Sequence, residues 1–278
     1  MKKVWFITGA GKGIGYSLAC TALEAGDHVV ATTRKEKAFS APKGCEESVL
    51  NLPLDVSDLN ESVYVSAVQQ AVSRFGRIDV LVNNAGHGRI TNFEETSEEN
   101  IRELFEVNFF GMLRVTRAVL PVMRRQRSGH IFNVASGAGY APGPVAYHSS
   151  KFAVTGFSTA LAFEVAPFGI KVTNVVPGMV RTSFYDQGAM CTQPDIPIVD
   201  YDKNRWQDDF MKANSNHEQA GDPNKIAKLI LEVSGAEIIP LHLPVTADAV
   251  ETLKDWQRGI GADIAVWGEK AAKTAVDN

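Results

Sequence analysis

The chain has 278 residues, 45% of them hydrophobic and 22% charged, with a formal net charge of −4. That is room for one large α/β domain with an ordinary core, while the mild acidity gives no electrostatic case for nucleic acid or an anionic membrane as partner. Cys20, Cys45 and Cys191 are odd in number and never spaced as a metal or redox pair, which suits a reducing compartment and calls for no metal.

Residues 4–7 form a short apolar run with a β-branched share, the pattern of a buried parallel strand. The run is too short for the core of a secretory leader, and no stretch reaches the roughly 18 apolar residues of a membrane span, so a cytoplasmic protein is expected. Thr8-Gly9-Ala10-Gly11-Lys12-Gly13-Ile14-Gly15 follows, then a helical pattern to about residue 25. Strand, glycine-rich turn and helix start is the setting in which backbone N–H groups receive a phosphate. The spacing is T-G-x-x-x-G-x-G rather than G-x-G-x-x-G. A ligand-free tight turn is the competing reading; four glycines within seven residues favour a diphosphate site.

The second strand, residues 28–33, ends beside Arg34. At the offset where a carboxylate would bind a ribose 2′-hydroxyl stands Thr33, with Arg34 next to it and Lys12 in the glycine turn. Cations without a carboxylate at this corner favour NADP over NAD. A third strand spans residues 49–54, and Asp58 or Ser57 is placed to cap the helix that runs to about residue 75. Asp55, at the strand's carboxyl end, serves either the turn or an adenine amino group. The fourth strand, residues 78–82, runs into Asn83-Asn84-Ala85-Gly86, where small and amide residues let a flat ligand lie against backbone or tie adjacent strands together. His87 and Arg89 follow, read as solvated loop residues or as the mouth of a pocket.

Thr96 and Glu99 have the spacing of a capping box for a helix over residues 97–107. Asn108 then falls inside a long apolar helical segment, 107–123, where an amide is costly unless it is satisfied or functional. A fifth strand, 130–134, leads to Ser136, which points into the ligand crevice of an open parallel sheet or caps its own loop. In the next helix, to about residue 166, Tyr147 and Lys151 are four apart and share a face. An ammonium beside a phenol favours the phenolate and lowers a pKa that is ordinarily about 10. Such a pair exchanges protons with a carbonyl or alcohol oxygen. A sixth strand, 171–176, is followed by Pro177-Gly178-Met179-Val180-Arg181-Thr182. Regular pattern is missing from residues 183–220, which carry Phe184, Tyr185, Trp206 and Phe210 and read as a binding loop. A helix over 222–234, a short strand at 241–243 and a helix over 246–258 complete the reading, with a C-terminal extension from about residue 245. No repeat or linker divides the chain, so residues 1–278 are taken as one domain.

Six or seven strands alternating with helices imply a doubly wound, mostly parallel Rossmann-like sheet. With Thr8-Gly9…Gly13-Ile14-Gly15, Asn83-Asn84-Ala85-Gly86, Asn108, Ser136, Tyr147…Lys151 and Pro177-Gly178…Thr182 in this order, the chain resembles the short-chain dehydrogenase/reductase family. The resemblance implies an oxidoreductase that moves a hydride between NADP(H) and a carbonyl or secondary alcohol. It makes Tyr147 the general acid/base, with Lys151 lowering its pKa and bonding the nicotinamide ribose. Ser136 would hold the substrate oxygen and Asn108 a water that links Lys151 to solvent. Gly9, Lys12, Gly13, Ile14 and Gly15 would surround the diphosphate, with Arg34 at the 2′-phosphate. Asp55 and Val56 would take the adenine; Asn83, Ala85 and Gly86 would lie along the adenosine and ribose. Pro177, Gly178, Val180 and Thr182 would hold the nicotinamide end.

Two departures qualify the resemblance. Ser136 and Tyr147 are 147 − 136 = 11 positions apart, about two fewer than is usual, so the intervening loop is expected to be tighter. The usual Asp-Gly-Gly segment near the chain end is missing, so tetramer formation is not carried over and homo-oligomerisation is left open. The aromatic loop suggests a small, apolar substrate. Epimerisation or dehydration on the same scaffold, and a non-catalytic dinucleotide sensor, are the competing functions; the presence of Ser136, Tyr147 and Lys151 speaks against the sensor.

Overall fold

Alternate residues of the first strand, β1 (Val4–Thr8), enter different cores: Val4 and Phe6 one, Trp5 and Ile7 the other. A strand buried on both faces belongs in a parallel sheet between two helix layers. The structure, a computed structural model, describes residues 2–35, 39–186, 190–202, 207, 209–210 and 217–276. Its main elements in chain order are β1, α1 (Gly13–Glu24), β2 (His28–Thr33), β3 (Val49–Pro53), α2 (Glu61–Phe75), β4 (Val80–Asn83), β5 (Gly88–Arg89), α3 (Glu98–Phe105), α4 (Gly111–Gln126), β6 (Gly129–Val134), α5 (Val145–Val165), β7 (Ile170–Val176), β8 (Met190–Cys191), α6 (Val199–Asp202), α7 (Pro223–Val233), β9 (His242–Pro244) and α8 (Ala247–Ala271).

Seven strands form one parallel sheet in the order β3-β2-β1-β4-β6-β7-β9. On one face, α2, α4 and α5 bury Tyr64, Val68, Val115, Val119, Leu161 and Val165. On the other, α1 and α7 bury Leu18, Leu23, Ile226 and Ile230. Strand order reverses between β1 and β4, so a crevice opens outside their carboxyl ends, where open α/β sheets bind ligands. The fold is a single Rossmann-like one, as expected from the sequence.

Several local expectations are corrected. Asn60, not Ser57 or Asp58, caps α2 by accepting from the N–H of Ser62 at 3.1 Å; Asp58 instead accepts from the N–H of Asn60. Ser97, not Thr96, caps α3. Thr96 is buried and spends its hydroxyl on Thr91 and the Asn92 carbonyl, so the capping box does not form. The apolar helix expected from residue 107 opens with one wider π-type turn, Glu106–Phe110, that carries Asn108. The last helix runs to Ala271, well past residue 258. The loop expected over 183–220 contains β8 and α6; Trp206 lies outside the described residues.

Two helix glycines separate backbone propensity from packing. A Cβ on Gly111 would run into the carbonyl of Val56, on backbone that cannot swing away, whereas a Cβ on Gly156 would meet nothing within 4 Å. Gly→Ala gains up to about 1 kcal/mol in an open helix, and overpacking costs about 1–3 kcal/mol. Gly156→Ala is therefore expected to raise the urea midpoint and Gly111→Ala to lower it, both read by equilibrium unfolding with the slope unchanged.

Candidate active site

The glycine turn is held open by its neighbours. Asn84 donates its side-chain amide to the carbonyls of Thr8 (2.9 Å) and Gly9 (3.1 Å), and the Thr8 hydroxyl accepts from the N–H groups of Asn84 and Ala85. These bonds clamp the carboxyl ends of β1 and β4 together. Gly9 and Gly13 have φ of +66° and +59°, and a Cβ on Gly15 would come within 2.6 Å of the Gly9 carbonyl. No side chain caps α1 and no acid stands in its first turn, so its first N–H groups face the crevice with no protein side chain to satisfy them. Backbone packed this closely, with positive φ and an uncapped helix start, fits a diphosphate.

Lys12, at the start of α1, and Arg34, just past the end of β2, are both exposed. Burial works against the charge on Asp55, but the Ser57 hydroxyl and N–H and the nearby Arg34 outweigh it, holding that carboxyl below the usual carboxylate range. Val56 is buried beside it. Across the crevice, the missing Cβ of Gly13 would stand 3.5 Å from Thr182. The glycine turn and the loop over residues 177–182 are thus two walls of one cleft. That second wall hangs on α8: Thr246 accepts from the N–H of Gly178 at 2.9 Å, and Asp248 accepts from that of Met179 at 2.7 Å. Pro177 accepts from the N–H of Gly137 at 2.8 Å, which joins the loops after β6 and β7, while Val180 is buried and bridges to Gly221.

At the inner end of the cleft, the structure brings Ser136, Tyr147 and Lys151 together. Ser136 stands close enough to Tyr147 to hold down the pKa of the phenol against burial, and its hydroxyl accepts from the N–H of Ala138 at 3.1 Å. The Lys151 ammonium lies 5.8 Å from the centre of the Tyr147 ring and donates to the Val134 carbonyl at 3.1 Å. Lys151 is buried, and among the described residues no carboxylate pairs with it. The expected lowering of the Tyr147 pKa is not found. Burial pushes the phenol up to about 12 against the opposing Ser136 bond, and burial also pulls Lys151 down to about 8. Withdrawal from water acts on both charged forms and outweighs the cation's help to the phenolate.

Asn108 organises the surroundings of this pair. Its side-chain oxygen accepts from the N–H of His87 at 3.0 Å, and its amide donates to the His87 carbonyl (3.0 Å) and the Ser150 hydroxyl (3.2 Å). Ser150 in turn donates to the Tyr147 carbonyl at 2.7 Å. The amide is therefore satisfied by protein groups. Asn83 differs from expectation as well: its amide is turned inward, donating to Thr116 (2.9 Å) and Asn133 (2.8 Å), so its side chain ties β4 to α4 and β6 instead of meeting a nucleotide. Ala85 and Gly86 stay at the crevice; a Cβ on Gly86 would lie 3.0 Å from Asn108 and 3.7 Å from the Lys151 ammonium. The shortened loop before Tyr147 is pinned by His148, whose Nδ1 lies 2.7 Å from the Ala141 carbonyl and whose ring fills the space beside Gly143. Ser150, His148, Thr246 and Asp248 were not singled out from sequence, and Thr8 and Asn84, quoted within their motifs, were given no separate role there.

A roof of apolar side chains covers Tyr147. Phe184 lies 6.2 Å from its ring, and Phe184, Met179 and Phe210 pack on buried Ile90, Tyr185 and Met190. The roof is stitched to the scaffold by β5–β8 pairing, by an Arg89–Asp195 ion pair at 3.1 Å, and by buried Glu95, which accepts from the N–H of Ile198 at 3.0 Å.

Comparison with known proteins agrees with this arrangement. The family described as short chain dehydrogenase matches residues 3–189. Oxidoreductase BOA17 of Botryotinia fuckeliana (strain B05.10) is 38% identical over 281 residues, covering 99% of this chain and 100% of that protein. The crystal structure of a short-chain dehydrogenase from Streptomyces avermitilis aligns with a TM-score of 0.87 at 36% identity, over 98% of this chain and 100% of that one. ElxO with NADP bound aligns with a TM-score of 0.73 at 27% identity, over 90% and 100%. Solved neighbours hold NADP in one case and NADH in another. With its parallel sheet, glycine turn and Ser136–Tyr147–Lys151 cluster, this chain belongs to the short-chain dehydrogenase family of oxidoreductases.

Proposed function

We propose that the protein is an NADP(H)-dependent reductase or dehydrogenase acting on the carbonyl or secondary alcohol of a small, largely apolar substrate. The observation that carries this reading is the convergence of the Ser136 hydroxyl, the Tyr147 phenol and the buried Lys151 ammonium beneath an apolar roof. When bound, the nicotinamide supplies or accepts the hydride. Tyr147 gives its proton to the substrate oxygen in reduction and takes one in oxidation; Ser136 donates a hydrogen bond where charge builds on that oxygen. Lys151 supplies positive charge beside the phenol. The N–H groups at Gly13, Ile14 and Gly15, with Gly9 and Lys12, would hold the diphosphate; Arg34 would hold the 2′-phosphate. Asp55 and Val56 would border the adenine, Ala85 and Gly86 the ribose, and Pro177, Gly178, Val180 and Thr182 the nicotinamide. Two exposed cations and no carboxylate at Thr33 support NADP over NAD. A small molecule is the expected partner and the cytoplasm the proposed site of action; no helix among the described residues is long and apolar enough to cross a membrane.

Tyr147→Phe is expected to lower NADPH-dependent reduction about 10²–10⁴-fold while leaving NADPH binding, read by fluorescence, within about twofold. Arg34→Ala removes a charge-assisted contact of about 1.5–3 kcal/mol and should raise the KM for NADPH roughly 10–100-fold with little change for NADH; equal losses for both cofactors reject the 2′-phosphate assignment. Lys151 keeps its positive charge below about pH 8 and loses it above. Reduction should therefore fall as pH rises through about 8. A panel of ketones and aldehydes tests the substrate class: turnover confined to hydrophilic compounds rejects the apolar reading.

A further inference from the structure

Lys151 is enclosed, so a proton that leaves Tyr147 has to be restored from outside through whatever borders the ammonium. On one side stand Gly86 and Asn108: a Cβ on Gly86 would lie 3.0 Å from the Asn108 side-chain oxygen and 3.7 Å from the Lys151 ammonium. The next residue is His87, whose backbone is gripped at both its N–H and its carbonyl by the Asn108 side chain. These two hydrogen bonds to a buried amide hold the His87 backbone in place directly after Gly86, the residue that borders the lysine. The His87 Nε2 atom is fully enclosed and has no hydrogen-bond partner, although the residue keeps some solvent exposure. A buried, unpartnered ring nitrogen costs free energy and is kept where a partner arrives during function. The charged groups whose fields reach the ring are Glu103 from α3, Arg34 from the end of β2, Arg89 from β5 and Lys151 from α5.

We infer that His87 is a proton-transfer residue that recharges Lys151 from solvent, extending the site proposed above and resting on that reading. Each reduction removes one proton from Tyr147. The Lys151 ammonium passes one to the phenolate and becomes an amine. His87 then releases its Nε2 proton toward that amine, directly or through water, while its other ring nitrogen takes one from solvent. One proton enters and one leaves, and the imidazole ends in the tautomer opposite to its starting one. Oxidation runs the same path outward. Burial, aided by Arg34, Arg89 and Lys151 against Glu103, holds the ring below the ordinary imidazole range, so it is neutral near pH 7 and free to exchange tautomers.

The test uses the full-length protein with NADPH and a carbonyl that the wild type reduces. His87→Ala and His87→Gln should each lower kcat about tenfold or more in dilute, non-imidazole buffer, with NADPH affinity within about twofold of wild type. Added imidazole should restore the kcat of His87→Ala in a saturable way and do nothing for Tyr147→Phe. An unchanged kcat in His87→Ala overturns the inference. So does a loss that imidazole does not rescue, or one that appears in NADPH affinity rather than in kcat. If the wild type reduces no carbonyl in the panel, the proposed reaction itself falls; if it does and His87→Ala behaves as wild type, only the role of His87 falls.

Discussion

An ammonium group withdrawn from water sets the terms for the inner end of the cleft. Burying a charge is expensive unless it gains partners, and among the described residues Lys151 has one hydrogen-bond acceptor, the Val134 carbonyl. The surrounding residues keep that group in place rather than neutralise it. Gly86 leaves room for it, the Asn108 amide holds the adjoining loop, and Ser150 fixes the turn of α5 that carries Tyr147. A lysine has three donors, so two remain for groups that arrive with a ligand, such as sugar hydroxyls. The protein tolerates an electrostatic cost that nucleotide binding would relieve.

The same logic links the parts of the crevice. The turn after β1, the loop after β4, the loop after β6 and the loop after β7 are each bonded to a neighbour, through Thr8 and Asn84 on one side and Pro177 and Gly137 on the other. Chain segments without helical or strand regularity thereby acquire the rigidity of the sheet edge from which they spring. Such loops can present backbone groups to a ligand with little loss of entropy on binding. The roof contrasts with them: it is tied to Glu95 and Arg89 through side chains and short strand pairing, and it meets the Tyr147 ring through Phe184.

Much of this was legible in the sequence because it is written in local pattern. The bounds of β2 coincide with the run 28–33, and the order of strand, glycine turn and helix fixed the place of the crevice. What was not legible depends on through-space neighbours. Ser57, Asp58 and Asn60 all have capping chemistry within four residues, and only the path of the chain selects Asn60. Asn83 and Asn84 are adjacent amides, yet one ends inside the sheet and the other over the glycine turn, because consecutive strand residues face opposite ways. The raised pKa of Tyr147 comes from burial, which a four-residue spacing does not encode. The reading stopped the last helix at residue 258, whereas α8 carries Gly259 and Gly261 within it and runs on to Ala271.

The attachment of the loop after β7 to the start of α8 has a bearing on the order in which the protein matures. Translation delivers Thr246 and Asp248 only after every strand of the large sheet has been made, and domains assemble as their chain emerges. A nascent chain still lacking α8 would own a formed sheet and glycine turn, but the floor of its cleft would have nothing to fasten Gly178 and Met179. The loop over residues 177–182 would therefore be the last part of the cleft to be fastened in place.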